Sequence, residues 1–510
     1  MTTVWSTQQE EIFNWFATPI ALQTEKALVA RARAGTGKST TIREGVKRAP
    51  EQNILVCAFS KDIQLAMDRA MRFMPDGETL DARRFNGQVK TLHAVGYAGV
   101  RFARPGIKVE FTYERAAMLS QKVCGLSTPD PILKLVSKLH TLGRETAPHA
   151  TKLGDLTAIA INFDCMPEEQ YEDAGFGLEY VELKALAAME LAAQVQSHET
   201  IDGSDMIFLP IRNGWLTRQF DLVVVDEAQD MTTAQLEIAQ GVLRPGGRIC
   251  IVGDDMQAIF GFRGADSGSL DRLKGELLAK ELGLTTTYRC PQAVVRLANT
   301  YVADFQAGPD NPEGEVIDVA FEKMIELAGP GDFILSRVNA PLVSIAMKLL
   351  RSGKRTRVMG KDIGRGLVAL IKKMNPVTVP DLLRKIEAWA KRETARIEVQ
   401  LAAAKNGRKA ALQSKIEAIG DQADMLASLC DGAQNVDEVK VRVESLFTDD
   451  GLGAAGMITC SSVHRAKGLE ADRVFILRKT LRDTTQEERN IAYVAITRAK
   501  KTLAWVAEGR

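Results

Sequence analysis

The feature that most restricts the fold is a run of small residues with one arginine and one lysine at positions 32–39, ARAGTGKS. The run follows an apolar stretch at 27–30 and precedes a helical pattern. Small residues let backbone N–H groups surround a phosphate, and the helix N-terminus adds a favourable dipole. Strand, loop and helix therefore predict a phosphate-binding loop with Ala in the first glycine position.

Lys38 is expected to reach the β- and γ-phosphates of a nucleotide, and the Ser39 hydroxyl to bind Mg²⁺. A chance glycine-rich turn is the alternative. The residues expected around the phosphates are Ala34, Gly35, Thr36, Gly37, Lys38, Ser39 and Thr40.

A second nucleotide element is predicted at 220–230, FDLVVVDEAQD, where an apolar strand ends in two acids. Asp226 at the end of the strand is expected to hold the Mg²⁺, directly or through water. Glu227 is expected to polarise the attacking water as a general base. The alternative is that the acidic strand end caps the following helix. The sequence has no His and Cys cluster that would suggest another metal.

Short apolar runs that end in Gly, Ser or Asp recur along the chain and predict buried parallel strands. Helical patterns separate these runs, which favours βαβ units and an α/β fold with doubly wound sheets. Because a second group of runs follows late in the chain, two α/β cores are expected. The first group lies at 27–30, 54–59, 222–225 and 249–252, and the second at 332–335, 457–460 and 473–477.

Each core is expected to contain a mainly helical insert. In the second insert, apolar residues alternate at spacings of four and three, like a coiled-coil seam, and Asn406-Gly407 is a candidate turn. We therefore predict an antiparallel helical hairpin. Its charged faces are interpreted as solvated, with a nucleic-acid contact as the alternative. The seam residues are Leu412, Ile416, Ile419, Ala423 and Leu426, preceded by Ile397 and Leu401. The predicted divisions are 1–99 and 201–285 for the first core, 100–200 for its insert, 286–364 and 451–510 for the second core, and 365–450 for its insert.

Charge and hydropathy restrict the class of protein less than the motifs do. Lys and Arg number 66 against 65 Asp and Glu, so the net charge of +1 neither supports nor excludes nucleic-acid binding. The N-terminal residues lack a secretory signal pattern, and no apolar run approaches the ~20 residues of a membrane span. The seven cysteines are scattered without a C-x-x-C pair, which favours a reduced compartment. We therefore expect a cytoplasmic protein without membrane contact.

Further motifs accompany the phosphate loop and the acid pair in a fixed order. They are STQQ at 6–9, AFSK at 58–61, TLH at 91–93, GDDMQAIFGFRGAD at 253–266, TYRC at 287–290, VHRAKGLE at 463–470 and YVAITRAKK at 493–501. In this order the chain resembles the UvrD/Rep/PcrA branch of superfamily 1 helicases, nearly end to end and least in the two inserts. The resemblance implies two RecA-like P-loop cores with ATP and Mg²⁺ between them. It also implies a monomeric ATP-driven translocase on single-stranded DNA and a helicase of 3′→5′ polarity at junctions of single- and double-stranded DNA.

The resemblance assigns the base and the sugar of ATP to three residues. Gln9 would bind the adenine edge, Tyr288 would stack on the base, and Glu470 would bind a ribose hydroxyl. A solvent-exposed glutamine without this role is the alternative for Gln9. The branch usually has a basic residue after the Lys-Ser pair, whereas this chain has Thr40 there, with Arg43 one turn later as the candidate substitute.

The γ-phosphate is assigned to three other residues. Arg289 would contact it, and Arg498 would do so from the second core as an arginine finger that stabilises charge during phosphoryl transfer. Gln257, an uncharged amide beyond the strand at 249–252, would sense the same group. A surface ion pair is the alternative for Arg498.

Ten positions match residues that contact DNA in this branch. Hydroxyls, amides and short basic groups suit phosphates, and aromatic rings suit bases. Two of the phenylalanines lie two residues apart in an extended segment, so their rings point the same way, and Gly261 between them lets the backbone approach a strand closely. Core packing of a phenylalanine and an internal hydrogen bond of a histidine are the alternatives. The positions are Phe59, Ser60, Lys61, Thr91, His93, Phe260, Phe262, Arg263, Asn339 and His464.

Three other functions stay open on the sequence alone. The chain could strip proteins from single strands with little unwinding, act as a nucleic-acid scaffold with a degenerate ATPase, or unwind RNA. The intact Lys38, Asp226, Glu227, Arg289 and Arg498 argue against a degenerate ATPase. The second insert is much shorter than the accessory subdomain of typical enzymes, so regulation by rotation of that subdomain is not expected to carry over.

Overall fold

The computed structural model describes residues 4–72, 87–112, 114–261, 268–403, 406–447 and 456–507. The chain divides into two compact units, Met1–Leu284 and Thr285–Arg510. The boundary between the two units lies between residues 284 and 285, and the boundary predicted between the two cores lies one residue later, between 285 and 286. None of the helices in these ranges combines the length and the apolar composition that a membrane crossing requires.

Unit 1 alternates strands and helices. Its strands are β1 (Ala27–Ala32), β2 (Ile54–Ala58), β3 (Gln88–Thr91), β4 (Lys108–Val109), β5 (Thr200–Ile201), β6 (Phe220–Val225), β7 (Leu243–Gly253) and β8 (Lys280–Leu284). Its helices are α1 (Thr7–Ala17), α2 (Lys38–Arg48), α3 (Lys61–Arg72), α4 (Leu92–Ala103), α5 (Glu114–Cys124), α6 (Asp130–Thr146), α7 (Thr157–Asn162), α8 (Glu169–Glu172), α9 (Leu178–Ala193), α10 (Asp205–Arg212), α11 (Thr233–Gly241) and α12 (Ser269–Glu276). Within the described residues, six strands form one parallel sheet in the order β3-β2-β6-β7-β1-β8.

The sheet of unit 1 is buried on both faces because its central strands are continuously apolar. Along β1, Leu28 and Ala30 pack with α1 and α2 on one face, and Val29 packs with α4, α10 and α11 on the other. In this order β7 lies between β1, which leads into the phosphate loop, and β6, which ends in the acid pair. The carboxyl ends of three adjacent strands therefore bring the three predicted nucleotide elements to one edge of the sheet.

The first insert has an apolar core of its own. Helices α4 to α10 and the small parallel pair β4 and β5 surround buried residues that extend from Val100 to Leu209. Arg144 is fully buried there and binds both carboxylate oxygens of Asp202 at 2.9 Å and Asp205 at 2.6 Å. These charge-assisted bonds fix the turn before α10 against α6.

Unit 2 contains a second parallel sheet. Its strands are β9 (Thr286–Thr287), β10 (Gln306–Ala307), β11 (Glu315–Ala320), β12 (Phe333–Ser336), β13 (Thr356–Val358), β14 (Ile458–Ser462), β15 (Ala471–Leu477) and β16 (Ala499–Ala507). Its helices are α13 (Gln292–Ala298), α14 (Phe321–Leu327), α15 (Ala340–Arg351), α16 (Lys361–Met374), α17 (Val379–Ala403), α18 (Asn406–Cys430), α19 (Val436–Leu446), α20 (Val463–Ala466) and α21 (Gln486–Ile496). Six of the described strands form the order β11-β16-β15-β12-β14-β13, again parallel. The predicted α/β class with parallel sheets is confirmed.

The second insert contains a helical hairpin made of α17 and α18. Leu382 and Ile386 near the start of α17 share one apolar cluster with Met425 and Leu426 near the end of α18, so the two helices are antiparallel. The predicted turn is wrong in position: α18 begins at Asn406, so Asn406-Gly407 lies in the helix. Leu412 and Leu426 of the predicted seam are buried, and the other three seam residues are half-buried. The same cluster includes the core of the sheet, so the hairpin packs on unit 2 rather than standing apart.

Candidate functional site

The phosphate loop connects β1 to α2 in the predicted way. Gly35 and Gly37 have φ angles of 68° and 81°, in the left-handed region that favours glycine. Thr36 is buried, and its hydroxyl donates to the Arg33 carbonyl at 2.9 Å, which closes the loop on itself. Lys38 is the first residue of α2, so its backbone N–H is one of the unpaired donors at the helix N-terminus.

Gln9 lies against the phosphate loop rather than in solvent. Its Oε1 accepts from the backbone N–H of Ser6 at 3.1 Å, and its Nε2 donates to the Thr41 hydroxyl in α2 at 3.2 Å. Gln9 is only 4% exposed, and its Nε2 is 3.5 Å from the point where a Cβ would stand on Gly37. The exposed alternative is therefore wrong, and the adenine-binding role stays a prediction.

The lysine of the loop faces the acid pair. Lys38 Nζ is 3.7 Å from Glu227 Oε1. Glu227 has a φ angle of 54°, which a residue other than glycine rarely adopts, and its N–H donates to Asp226 Oδ1 at 3.0 Å. Asp226 is 2% exposed, and burial together with the neighbouring Glu227 charge raises its pKa to about 7, against the opposing effect of Lys38. Strain and buried charge concentrate at this point, as is common at functional sites.

The donor set fits Mg²⁺. Asp226 supplies a buried carboxylate, and Ser39 supplies a solvent-exposed hydroxyl in the first turn of α2. Mg²⁺ prefers such oxygen ligands and usually takes its remaining ligands from substrate phosphates and water. Among the described residues, no group of three or more His, Cys, Asp or Glu side chains is placed to hold a metal by itself.

A hydrogen-bonded chain joins the acid pair to the predicted sensor. Gln229 donates to Glu227 Oε2 at 2.6 Å and accepts from the Asp254 N–H at 3.0 Å. The Asp254 carboxylate accepts from Gln257 Nε2 at 2.6 Å. A Cβ on Gly253 would stand 2.6 Å from Gln229 Oε1, so only glycine allows this approach. The structure thus brings Lys38, the acid pair and Gln257 into one connected set.

The backbone of the TYRC segment in unit 2 is held by hydrogen bonds with the side chains of Thr287 and Asn311. The Thr287 hydroxyl accepts from the N–H groups of Arg289 and Cys290 at 3.2 and 3.4 Å. Asn311 Nδ2 donates to the carbonyls of Thr287 and Cys290 at 2.8 and 2.7 Å. Tyr288 between them is 49% exposed, as a ring that stacks on a base must be.

Two other predicted nucleotide residues of unit 2 form an ion pair. Arg289 Nε is 2.5 Å from Glu470 Oε2, and Lys500 Nζ is 3.7 Å from Glu470 Oε1. The carboxylate assigned to the ribose therefore already binds the guanidinium assigned to the γ-phosphate.

Arg498 is 1% exposed, so a surface ion pair is wrong for this residue. Its guanidinium donates to the carbonyls of Val494 and Leu469 at 2.9 and 3.1 Å and to the Thr497 hydroxyl at 3.0 Å. These bonds fix the direction of the side chain within unit 2. Its role as an arginine finger stays a prediction.

Two of the aromatic residues predicted to bind DNA, Phe59 and Phe260, lie against each other in unit 1. The Phe59 and Phe260 rings are stacked, with centroids 6.1 Å apart and planes 11° from parallel. Both rings are half-buried, and Phe59 also packs on the sheet core, so core packing accounts for part of its surface. Phe262 and Arg263 lie outside the described residues.

The polar DNA candidates of unit 1 follow two neighbouring strands. The Ser60 hydroxyl after β2 accepts from the Ile63 N–H at 3.3 Å, and the Thr91 hydroxyl at the end of β3 accepts from the Ala94 N–H at 3.3 Å. Each therefore caps a helix that begins at the same sheet edge. Lys61 is exposed and donates to Gln64. Burial lowers the pKa of His93 below its usual 6.5, so a neutral imidazole is expected at pH 7.

The two DNA candidates of unit 2 have different environments. His464 is half-buried in α20. The Asn339 backbone N–H and Nδ2 both donate to Asp421 of α18, at 3.1 and 3.2 Å. Glu417 and Asp424 line the same surface groove beside Asp421, so the groove is acidic. A phosphate in contact with the Asn339 amide would therefore lie beside the Asp421 carboxylate.

Known families match both units. The UvrD/REP helicase N-terminal domain matches residues 16–277, and the UvrD-like helicase C-terminal domain matches residues 391–508. The chain belongs to the UvrD/REP helicase family. The resemblance predicted from the motifs is confirmed, and the two parallel sheets are those of two RecA-like cores.

Individual relatives within the family are distant. The chain is 25% identical over 301 residues to "ATP-dependent DNA helicase Rep" of Escherichia coli, a match that covers 54% of this chain and 40% of that protein. It is 23% identical over 531 residues to "F-box DNA helicase protein 1" of Schizosaccharomyces pombe, covering 94% and 55%. It is 22% identical over 614 residues to "Probable DNA helicase II homolog" of Rickettsia conorii, covering 94% and 90%. The chain thus spans about half the length of the first two relatives and most of the third.

Four side chains of this UvrD/REP helicase family member connect the predicted site residues but had no predicted role. Gln229 and Asp254 lie inside recognisable motifs, so their positions could have been singled out. Arg33 is a charged residue in a loop of small ones, which is also a visible signal. Asn311 has no local signal, because its contacts depend on the pairing of β9 and β10.

Proposed function

We propose that this chain is an ATP-hydrolysing motor that moves along single-stranded DNA and unwinds duplexes in the 3′→5′ direction. The observation that supports it most is the connected set in unit 1 made of Lys38, Glu227, Gln229, Asp254 and Gln257. This set links a phosphate-binding lysine and an acid pair to the segment that carries Phe260. ATP hydrolysis and strand binding can therefore influence each other.

The proposed chemistry divides between the two units. In unit 1, Lys38 would bind the β- and γ-phosphates, Ser39 and Asp226 would hold Mg²⁺, and Glu227 would accept a proton from the attacking water. Bound Mg²⁺ would supply charge neutralisation at the phosphate oxygens. The Glu227 carboxylate lies 3.7 Å from Lys38 Nζ, so the proposed base is close to the phosphate loop.

In unit 2, Arg289 and Arg498 would stabilise charge on the transferred phosphoryl group. Arg498 is suited to this role because three bonds within unit 2 already fix its guanidinium, so little ordering is needed during the reaction.

The ATPase assignment is tested with Lys38→Ala. Loss of this cation is expected to lower single-strand-stimulated ATP hydrolysis roughly 100-fold or more, the order seen when one stabilising donor is removed. Lys47→Ala in the last turn of the same helix is the matched control and should hydrolyse ATP at the wild-type rate. Normal turnover in folded Lys38→Ala protein would remove the phosphate-loop assignment.

Substrate and direction are tested separately. Stimulation of ATP hydrolysis by a DNA oligonucleotide is compared with stimulation by an RNA of the same sequence, and a stronger RNA effect would favour the RNA-helicase alternative. Unwinding is then measured on duplexes with a 3′ or a 5′ single-stranded tail. Unwinding only from the 5′ tail would contradict the proposed direction, and translocation without unwinding of either would favour a protein-stripping enzyme. The monomeric state and the cytoplasmic location stay predictions.

A further inference from the structure

Arg33 is the charged residue inside a loop of otherwise small residues, and its side chain is directed to the sensor segment. Its side chain is 8% exposed, and its Nη1 donates to Asp254 Oδ1 at 3.1 Å and to Asp255 Oδ1 at 2.8 Å. Its backbone N–H donates to the Leu284 carbonyl at the end of β8 at 2.8 Å, so the residue is anchored to the sheet. The phosphate-loop pattern leaves this position open to any residue, so phosphate binding does not by itself require an arginine here.

The carboxylate that Arg33 binds also holds the sensor. Asp254 is fully buried; its Oδ1 accepts from Arg33 and its Oδ2 accepts from Gln257 Nε2 at 2.6 Å. A buried carboxylate is costly to leave without a cation, so Arg33, together with the Met256 N–H that donates to the same Oδ1 at 3.2 Å, fixes the direction of Asp254. The position of the Gln257 amide therefore depends on Arg33 through one intermediate group.

We propose that Arg33 is a positioning residue that acts through Asp254 on Gln257 and so couples the phosphate loop to the segment that ends in Phe260. This inference rests on the proposed function, because the coupling has meaning only if ATP hydrolysis responds to DNA. Any such coupling acts in both directions: strand binding at Phe260 alters the phosphate loop as much as nucleotide binding alters the strand-binding segment.

The structure offers a matched control two residues earlier, on the strand that leads into the loop. Arg31 binds Asp255 at 3.1 Å, Asp271 at 2.5 Å and Glu281 at 3.0 Å. It is a similarly bridged arginine of β1, but its partners do not include the carboxylate that holds Gln257. Removal of Arg31 should therefore reduce stability without changing the response to DNA.

The test is the ratio of kcat for ATP hydrolysis with saturating oligo-dT to kcat without DNA. Arg33→Gln should lower this ratio about fivefold or more, which corresponds to the loss of one buried hydrogen bond. The KM for ATP should change less than about twofold because the phosphate contacts are retained. Arg31→Gln should leave the ratio unchanged, and Arg33→Lys, which keeps a cation beside Asp254, should lower it less than Arg33→Gln does.

A purely structural role would lower both rates in proportion and leave the ratio unchanged, which would overturn the proposal. An equal fall of the ratio in Arg31→Gln would overturn it as well. If Arg33→Gln does not fold, the double variant Arg33→Gln/Asp254→Asn, which buries no unpaired charge, takes its place with the same expected fall. Wild-type protein without DNA-stimulated hydrolysis would instead contradict the proposed function and is therefore distinguishable.

Discussion

Replacement of Phe260 by alanine tests whether the stacked pair of unit 1 is a surface for DNA bases. Phe260 follows the sensor segment, and its ring faces that of Phe59 at a centroid distance of 6.1 Å. A base inserted between two parallel rings needs a separation of about 7 Å, since each contact takes about 3.5 Å. The rings must therefore move apart to admit a base, or the base stacks on an outer face.

The expected loss of affinity follows from two opposing contributions. Stacking of one base on an aromatic side chain contributes about 1–3 kcal/mol. The pair of rings itself contributes about 0.5–1.5 kcal/mol, part of which is lost when a base replaces one ring as the neighbour of the other. A net effect of about 1–2 kcal/mol remains, so Phe260→Ala should raise the Kd for single-stranded DNA about 5- to 30-fold.

The Kd is measured by fluorescence anisotropy of a labelled oligo-dT at one fixed salt concentration, because phosphate contacts make the affinity salt-dependent. Phe176→Ala is the matched control: it also removes a half-buried ring from an aromatic pair, with Tyr180 in the first insert. Phe59→Ala and the double variant complete a cycle, and a base held by both rings gives a double effect well below the sum of the single ones. Folded Phe260→Ala protein that binds oligo-dT within about twofold of wild type would refute the stacking role.

Two further predictions concern the ion pair of unit 2 and the core of the first insert. In steady-state assays, Glu470→Gln should raise the KM for ATP about three- to tenfold with little change in kcat, because a partly exposed charged acceptor for the ribose is lost. A fall in kcat at constant KM would instead indicate that Glu470 supports Arg289. Burial, with a smaller effect of the neighbouring Arg144, lowers the pKa of His140 from 6.5 to about 3. The unfolded chain therefore binds a proton that the folded chain does not, and this contribution to stability is complete above pH 6.5 and is lost as the pH falls toward 3. At pH 5 the loss is about 2 kcal/mol at 1.36 kcal/mol per pH unit, which urea unfolding at pH 7.5 and pH 5 would measure; an equal pH dependence in His140→Gln would contradict it.

The strands that the sequence predicted are those buried on both faces. β2 and β6 are apolar throughout their central residues, so a local pattern identifies them, as it does β1 and β7 in the same sheet and β12, β14 and β15 in the sheet of unit 2. The central strand β16 was not predicted, because its first residues, AKKT, are polar. β8, KELGL, and β11, EVIDVA, were not predicted either, because they lie at sheet edges and are partly exposed. β8 pairs with β1, and β11 pairs with β16. Because both partners are distant in sequence, no short stretch of sequence predicts these pairings.

The nucleotide elements could be predicted because each is contiguous. Strand, loop and helix of the phosphate loop lie within one βα unit, and the acid pair ends one strand. The contact between Arg33 and Asp254, in contrast, joins residues separated by 221 positions. It requires β7 to lie beside β1, a strand order that neither segment specifies by itself.

Asn339 shows that a matching motif is not sufficient to assign a residue the role that it has in relatives. The predicted roles of Lys38 and Glu227 rest on a contact whose two partners both belong to recognised motifs. The partner of Asn339 is Asp421, 82 residues later in α18 of the second insert. The same carboxylate also accepts from the Ala340 N–H at 2.6 Å, so Asp421 caps α15 as well as binding the asparagine amide. A DNA phosphate at Asn339 would lie beside a carboxylate of like charge that also caps α15. A residue that matches a family motif is therefore expected to keep its role only where the residues that it contacts are kept as well.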